Sequence, residues 1–364
     1  MQDPLFEKAG AGAAVGTTPK AKASASVRGE GVRFRRIFTK PGLHPYDAIK
    51  WEKRVSKISN PDGSTVFEMK DVEVPASWSQ LATDIVVSKY FRKAGVPGTG
   101  HETSARQTVT RVARTLRVAG GQFGGYFATP EDADAFEMEL TYLLINQFGA
   151  FNSPVWFNCG LAQEYGIQGR AVGNWAWNQR TNAVEEAADA YTRPQLSACF
   201  IQRIQDDLMD MADQVRREMR IFKFGSGTGT NFSAIRAEGE KLSSGGTSSG
   251  LMSFLEIYDK AAGAIKSGGT TRRAAKMVCL DMDHPEIERF IDWKMHEEEK
   301  ARILIELGGM DSDFNGEAYH TVSGQNSNNS VRVPDAFMDA VKADGEWATT
   351  WRTGGKVAKV YKAR

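Results

Sequence analysis

The chain has 364 residues, of which 41% are hydrophobic and 25% are charged, as in a folded globular protein rather than a disordered, collagen-like or coiled-coil chain. The 46 lysines and arginines nearly balance 45 aspartates and glutamates. A net charge of +1 therefore indicates neither nucleic acid nor a membrane surface as a partner. No apolar run approaches the ~20 residues that a membrane span needs. The length allows two or three domains.

The first third of the chain divides into a tail and a compact region. Residues 1–31 are rich in Gly, Ala, Ser and Lys, which predicts a disordered tail; a basic arm for nucleic acid is the alternative, but aromatic residues are scarce. The elements predicted between residues 32 and 150 are a strand at 66–74 and helices at 81–91, 104–118 and 130–148.

Beyond residue 150 the pattern changes. The polar stretch 161–190 predicts a loop and then a helix at about 183–191. From residue 196 onward short apolar runs alternate with helical patterns, which predicts a largely parallel α/β sheet or barrel. The predicted strands are 198–202, 221–224, 276–281 and 328–333, and the predicted helices are 206–220, 250–266, 284–295, 298–307 and one that begins at Pro334.

Three glycine-rich segments fall within this second region. Residues 224–231 carry glycines at alternate positions, which suits either a phosphate-binding loop or a tight turn. Residues 242–250 precede a helix and suit either an anion site or a flexible cap. Arg272 and Arg273, within 266–276, could reach phosphates or a base edge, or lie in a solvated basic turn. Together the three segments favour a nucleotide site.

The cysteines and histidines carry little information by spacing. Cys159, Cys199 and Cys279 are too few for a disulfide framework, and no apolar leader opens the chain, so we predict a cytoplasmic protein with reduced thiols. Spacing alone predicts that each cysteine is a buried core thiol. The five histidines lack the spacing of metal ligands, so no metal site is predicted.

Six segments stand in the order found in ribonucleotide reductases. From about residue 32 to residue 364 the chain resembles the adenosylcobalamin-dependent class II enzymes, in their long bacterial form. The segments are Asn152-Ser-Pro-Val-Trp-Phe-Asn158, Ser197-Ala-Cys-Phe-Ile201, Gly225-Ser-Gly-Thr-Gly-Thr-Asn231, Ser267-Gly-Gly-Thr-Thr-Arg-Arg-Ala-Ala-Lys276, Asp283-His-Pro-Glu-Ile287 and Gln325-Asn-Ser-Asn-Asn-Ser-Val331.

The resemblance implies an α/β fold in which residues 151–364 form the first part of a ten-stranded barrel. A mostly helical domain, residues 32–150, precedes it. It implies that ribonucleotides are reduced at the 2′ carbon. In the implied chemistry, adenosylcobalamin first generates a cysteine thiyl radical. Two further thiols then reduce the substrate and become a disulfide. The implied partners are a ribonucleotide substrate, a deoxynucleoside triphosphate effector, a thioredoxin-type reductant and a second copy of the chain in a homodimer.

The resemblance also assigns roles to single residues. It makes Cys199 the first thiol of the reducing pair. It places substrate contacts at Ser153, Ala198, Cys199 and Gly227, effector contacts at Asp206, Asp207, Leu208 and Arg236, and a specificity loop at 267–276 that contains Arg272 and Arg273.

The sequence lacks the Asn-Pro-Cys-Xaa-Glu motif that holds the thiyl cysteine of these enzymes. We therefore expect the chain to be the N-terminal part of a longer enzyme of the ribonucleoside-diphosphate reductase type, and to be inactive alone. Two alternatives stay open. One is a non-catalytic nucleotide-binding regulatory module, and the other is a reductase that uses a dinuclear-metal radical partner.

Overall fold

The structure is a computed structural model that describes residues 31–59, 63, 65–123, 125–171, 173–178, 180–267, 272–313 and 316–364. The predicted tail, apart from Gly31, lies outside these residues. A hairpin-and-helix region precedes a four-stranded parallel sheet that is covered by helices. None of the helices formed by the described residues is both long and apolar enough to cross a membrane.

The first region is built on an antiparallel hairpin of β1 (Trp51–Ser59) and β2 (Thr65–Pro75). The strand predicted at 66–74 is confirmed, but its partner β1 was missed because charged residues fill it and Ser56 is its one buried residue. Val72, Val74 and Trp78 pack against the helices in one apolar cluster. The helices are α1 (Gln80–Ile85), which continues into the π-helical turn Val86–Tyr90, α2 (Ala105–Phe123) and α3 (Pro130–Ile145).

The connection to the sheet holds two short helices and a second hairpin. The helix predicted at 183–191 is wrong, because residues 183–186 form a strand. Asn182 adopts a left-handed φ of 54° just before that strand, which suits a hairpin turn and overrides the helical preference of the Ala and Glu residues that follow. The elements are α4 (Ser153–Asn158), α5 (Leu161–Tyr165), β3 (Trp175–Asn178) and β4 (Ala183–Glu186).

The central sheet has four parallel strands in the order β10-β9-β6-β5. Helices connect consecutive strands, as parallel pairing requires. The strands are β5 (Cys199–Arg203), β6 (Gly227–Asn231), β9 (Lys276–Asp281) and β10 (Asn328–Arg332), the long helices are α6 (Leu208–Lys223), α7 (Leu251–Ala264) and α8 (Ile287–Glu306), and the smaller elements are β7 (Lys266–Ser267), β8 (Arg272–Arg273) and α9 (Glu317–Thr321).

Two sequence predictions in this region are wrong. Residues 221–223 are the last turn of α6 rather than a strand, because Phe222 continues the buried stripe of that helix. The strand lies instead at 227–231, in the segment predicted as a phosphate loop or tight turn. The helices predicted at 284–295 and 298–307 are one continuous helix, α8.

The chain closes with α10 (Asp335–Lys342) and an antiparallel hairpin of β11 (Glu346–Thr350) and β12 (Val357–Lys362), which was not predicted. The main core fills the space between the sheet and its helices, with Phe232, Leu255, Tyr258, Leu280 and Phe290 nearly inaccessible to solvent. On the opposite face of the sheet, Ile201 and Met277 are exposed, so that face is accessible beside β6.

Candidate functional site

The open face of the sheet has a trough along β6. Side chains of paired residues in a parallel sheet point the same way, so Cys199 and Ile201 of β5 flank Gly227 and Gly229 on one side. Met277 of β9 flanks Gly229 on the other. Ile201 is 85% exposed and Met277 is 41% exposed. Gly227 and Gly229 form the floor between them; they carry no side chains and are buried by their neighbours.

Cys199 is exposed, and the prediction of a buried core thiol from its spacing is wrong. It opens β5 on the face away from the helices, which the apolar run alone did not show. Cys159 is buried at the end of α4, and burial raises the pKa of its thiol to about 11. Cys279 is partly buried, and burial, followed by the nearby Asp281 carboxylate, raises the pKa of its thiol.

Cys199 cannot form a disulfide with Cys279 in this arrangement. Cys199 pairs with Gly227 on the neighbouring strand, whereas Cys279 pairs with Asn231 from the next strand along. Two strand spacings separate the thiols by about 9–10 Å across the sheet alone, beyond the ~4.4–6.8 Å between Cα atoms that a disulfide needs. All three cysteines are free thiols in the structure.

Helix α4, which begins with Ser153, contacts the residues just before strands β5 and β6. The Ser153 hydroxyl lies 3.1 Å from the hydroxyl of Tyr90, whose ring stacks on Phe157 with centroids 5.4 Å apart. Phe157 in turn covers Gly225, where an added Cβ would lie 2.5 Å from that ring. Asn158 donates from Nδ2 to the carbonyls of Gln195 and Phe224, at 2.9 and 3.0 Å.

The predicted substrate contacts Ala198, Cys199 and Gly227 lie side by side. The Gly227 amide donates to the Ala198 carbonyl at 2.7 Å, and Cys199 is the in-register neighbour of Gly227. Through Phe157 and Asn158, helix α4 ties Ser153 to the residues just before β5 and β6. Tyr90 was missed by sequence reasoning, since nothing in its spacing indicates a partner 63 positions away.

The predicted effector residues also come together. Arg236 donates from Nε to a carboxylate oxygen of Asp206 at 2.6 Å, and its amide lies 3.3 Å from the other oxygen. Asp207 caps α6 by accepting from the amides of Met209 and Asp210. Leu208 is 64% exposed at the first position of that helix. Internal partners thus already engage Asp206 and Asp207.

The specificity loop is described only at its two ends. Arg272 and Arg273 form β8, which pairs with β7, whereas residues 268–271 lie outside the described part of the chain. At the loop's end the Lys276 ammonium lies 2.7 Å from Glu218 of α6, and both side chains are at most 2% exposed. Burial lowers the pKa of Lys276, which the Glu218 carboxylate opposes.

Sequence reasoning missed the buried pair of Glu218 and Lys276. One signal was present: Glu218 occupies the apolar stripe of α6, four residues after Gln214 and four before Phe222, all of them buried. Glu218 also accepts a hydrogen bond from the Thr228 hydroxyl at 3.3 Å. The pair therefore joins α6, β6 and β9 underneath the trough.

The anion site considered at residues 242–250 is filled by the protein itself. The amide of Leu251, at the N-terminus of α7, donates to a carboxylate oxygen of Glu286 at 2.7 Å. A carboxylate in that position satisfies the helix terminus as a bound anion would. The structure therefore favours the cap over the anion site, and burial raises the pKa of Glu286.

Cavities of about 410, 320 and 560 Å³ lie among the described residues. A site for the corrin cofactor that the resemblance implies would have to be larger. The cavities fall in the range of small-ligand pockets, and none of them is large enough to enclose a corrin ring with its axial groups. These cavities therefore do not fit that cofactor. The described residues contain no group of three side chains that could hold a metal ion.

Comparison with known proteins identifies the family. Residues 197–363 match the family described as "Ribonucleotide reductase, barrel domain", and residues 52–147 match "Class II vitamin B12-dependent ribonucleotide reductase". The chain belongs to the vitamin B12-dependent ribonucleotide reductase family. The predicted fold class, the first part of an α/β barrel after an N-terminal region, is confirmed by the barrel match and the parallel sheet.

Several curated reductases are similar to this chain over nearly all of its length. A "Vitamin B12-dependent ribonucleotide reductase" of Rhodopirellula baltica is 46% identical over 96% of the chain and 34% of that protein. Proteins of the same name from Agrobacterium fabrum and Streptomyces coelicolor are 43% and 44% identical, over 92% and 96% of the chain. The chain spans about a third of the length of these reductases.

Proposed function

We propose that this chain supplies the first reducing thiol and the effector site of a reductase that converts ribonucleotides to deoxyribonucleotides. The observation that carries the proposal is Cys199, which is exposed beside the glycine trough of a reductase-family barrel sheet. The thiol of Cys199 is accessible to a substrate, and its in-register neighbour Gly227 adds no side chain beside it. Ser153, Ala198 and Gly227 are the proposed substrate contacts.

The proposed reaction balances with two thiols. A thiyl radical removes the 3′ hydrogen of the ribonucleotide and later returns it. Cys199 and a second thiol give two electrons and two protons, the 2′ hydroxyl leaves as water, a C2′–H bond forms, and the two sulfurs become a disulfide. A dithiol of the thioredoxin class then reduces this disulfide by exchange. Adenosylcobalamin, held by parts of the full-length enzyme outside this chain, would supply the radical chemistry in this proposal.

The second thiol comes from outside this chain in the proposal. Cys279 is out of reach of Cys199 on geometric grounds, and Cys159 is buried at the end of α4. We propose a ribonucleoside diphosphate as substrate, in line with the relatives from Mycobacterium tuberculosis that are named "Vitamin B12-dependent ribonucleoside-diphosphate reductase" and are 35% identical over 45% of this chain.

The proposed effector is a deoxynucleoside triphosphate. Arg236 can present a guanidinium to phosphate. Asp206 and Asp207 already accept from Arg236 and from the first amides of α6, and their carboxylates have further lone pairs that could accept from ribose hydroxyls. Leu208 offers an exposed apolar surface at the same helix terminus. Arg272 and Arg273 belong to the loop proposed to relay effector identity to the substrate, and the whole enzyme is proposed to act as a homodimer.

The test is Cys199→Ser in a full-length enzyme that contains this segment. We expect exchange of the 3′ hydrogen to persist, because the radical resides elsewhere, and deoxynucleotide formation to stop. Cys279→Ser, on the same face of the sheet, is the matched control and should keep normal turnover. Full multiple turnover by Cys199→Ser would remove the thiol from the mechanism and leave the non-catalytic regulatory module as the better account.

A further inference from the structure

Arg236 lies on an irregular loop, residues 232–241, that follows β6. Part of the loop is held by burial of Ile235 and Ala237 and by a bond from the Gly239 amide to the Ser248 carbonyl at 3.0 Å. A side chain that binds phosphate must itself be held in place. The structure shows further contacts on both sides of Arg236, from the tip of the C-terminal hairpin β11–β12, which sequence reasoning did not predict.

Arg352, at the hairpin tip, binds the start of the loop. Its Nε donates to the carbonyl of Ser233 at 2.7 Å, three residues before Arg236. Its two terminal nitrogens donate to the two oxygens of Asp283 at 2.9 and 3.1 Å, which is the bidentate geometry that fixes a guanidinium most firmly. The Thr350 amide adds a bond to the Asp283 carbonyl at 2.8 Å.

Thr353 binds the other end of the loop through Glu240. The amide of Thr353 donates to one carboxylate oxygen of Glu240 at 2.6 Å, and its hydroxyl donates to the same oxygen. The other oxygen of Glu240 accepts from the amide of Ala237 at 2.7 Å. Ala237 directly follows Arg236, so the hairpin tip secures the chain on both sides of the arginine.

His284 makes a third contact with the loop, at Ile235. Its Nδ1 accepts from the amide of Glu286 at 3.1 Å, so the proton of the neutral ring sits on Nε2, which donates to the carbonyl of Ile235 at 2.9 Å. Burial lowers the pKa of His284 to about 4, which keeps the ring neutral near pH 7. The hairpin tip and His284 thus together contact the loop on both sides of Arg236.

We propose that Arg352 and Thr353 are positioning residues that hold Arg236 where it can bind the phosphates of a nucleotide effector. The inference rests on the proposed effector role of Arg236. It adds that the C-terminal hairpin belongs to the effector site although it contributes no group that touches the nucleotide. Loosening the hairpin tip weakens phosphate recognition while recognition of the nucleoside portion is unaffected.

The test measures equilibrium binding of dATP, dGTP, dTTP and dCTP, each beside its unphosphorylated deoxynucleoside, to a full-length enzyme that contains this segment. The variants are Arg352→Met and Thr353→Val, with Arg236→Met as the reference loss. We expect Arg352→Met to weaken triphosphate binding about tenfold and Thr353→Val about threefold, with deoxynucleoside binding unchanged. Arg352→Lys, which keeps the charge, should recover part of the loss.

The matched control is Lys359→Met on the same hairpin. Lys359 pairs with Glu288, away from the loop, so its loss should leave triphosphate binding unchanged. If Arg236→Met weakens binding but Arg352→Met and Thr353→Val behave like Lys359→Met, the role of the hairpin is wrong and the effector site stands. If Arg236→Met itself changes nothing, both proposals fall. Thr353→Val removes only a hydroxyl donor, so it tests the idea even if Arg352→Met unfolds.

Discussion

Gly227 and Gly229 are two residues apart in a repetitive segment, but only one of them is required by packing. A Cβ on Gly227 would lie 2.9 Å from the carbonyl oxygen of Ala275, whereas a Cβ on Gly229 would meet only side-chain ends at 3.5 and 3.7 Å. We predict that Gly227→Ala lowers the free energy of unfolding by about 1–3 kcal/mol. Urea unfolding measures this.

Gly229→Ala is the matched control, because the same methyl group enters the same strand without a clash. It should be neutral or slightly stabilising, since alanine restricts the unfolded chain. Equal losses for the two variants would mean that β6 needs glycine for its backbone and not for its contact with Ala275.

The three thiols should differ in reactivity. Cys199 is exposed, whereas Cys159 is buried with a pKa of about 11 and therefore has almost no thiolate near pH 8. We predict that iodoacetamide labels Cys199 first, Cys279 more slowly and Cys159 only after unfolding. Peptide mass spectrometry over a time course measures the order. Fast labelling of Cys159 in the folded chain would contradict the packing of α4.

Single residues were predictable to the extent that short motifs carry them. The segments around Cys199 and Arg236 single out residues that lie at the start of β5 and beside Asp206, and their roles stay predictions. What the motifs could not give were partners far along the chain. Tyr90 for Ser153 and Arg352 for the Arg236 loop depend on how separate elements pack, which no local pattern records.

At the scale of elements, the buried pair of Lys276 and Glu218 links α6 to β9. Removing Lys276 leaves the Glu218 carboxylate buried and unpaired. We therefore predict that Lys276→Met lowers the free energy of unfolding by about 3–5 kcal/mol. The double variant Lys276→Met/Glu218→Leu should cost less than Lys276→Met alone, because it buries no unpaired charge. Thermal and urea unfolding measure both, and additive losses would show that the pair is not coupled.

Lys342→Met is a control for that experiment, because its partner Asp339 is also on a helix but both side chains are largely exposed. An exposed pair contributes little, so stability should hardly change. A large loss there would point to a general effect of the methionine rather than to burial.

Elements were predictable where apolar periodicity was strong, as in α2, α3 and α7. Prediction failed where two periodicities met. The run 221–224 is apolar enough for a strand, yet Phe222 completes the helical stripe of α6, and the adjacent strand β6 is built of glycine and threonine. A strand whose one face lacks side chains does not produce the alternation that identifies strands.

For the whole molecule, the open sheet face predicts self-association. β5 and β10 are the outer strands of the described sheet, and Ile201 on β5 is 85% exposed. Exposed apolar edges pair with other chains. We predict that the 364-residue chain sediments as dimers and larger species, and that Ile201→Lys shifts it toward monomer. Sedimentation velocity measures this, with Lys359→Met as a surface control.

The same chain alone should show no reductase turnover. Its sequence contains no Asn-Pro-Cys-Xaa-Glu segment, and Cys199 has no thiol within disulfide reach on its sheet. A deoxynucleotide-formation assay with added adenosylcobalamin and dithiol tests this. Measurable turnover would require one of the three present thiols to carry the radical, and would overturn the division of roles proposed for Cys199.

The bare floor of the trough limits what the sheet itself can discriminate. Peptide groups offer the same pattern of dipoles to any flat ring, so a surface without side chains cannot tell a purine from a pyrimidine. Gly227 and Gly229 therefore add no side chain beside Cys199 that could distinguish one base from another. Under the proposed reductase function, one thiol would serve every substrate, and the choice among substrates would be made by residues that lie off β6.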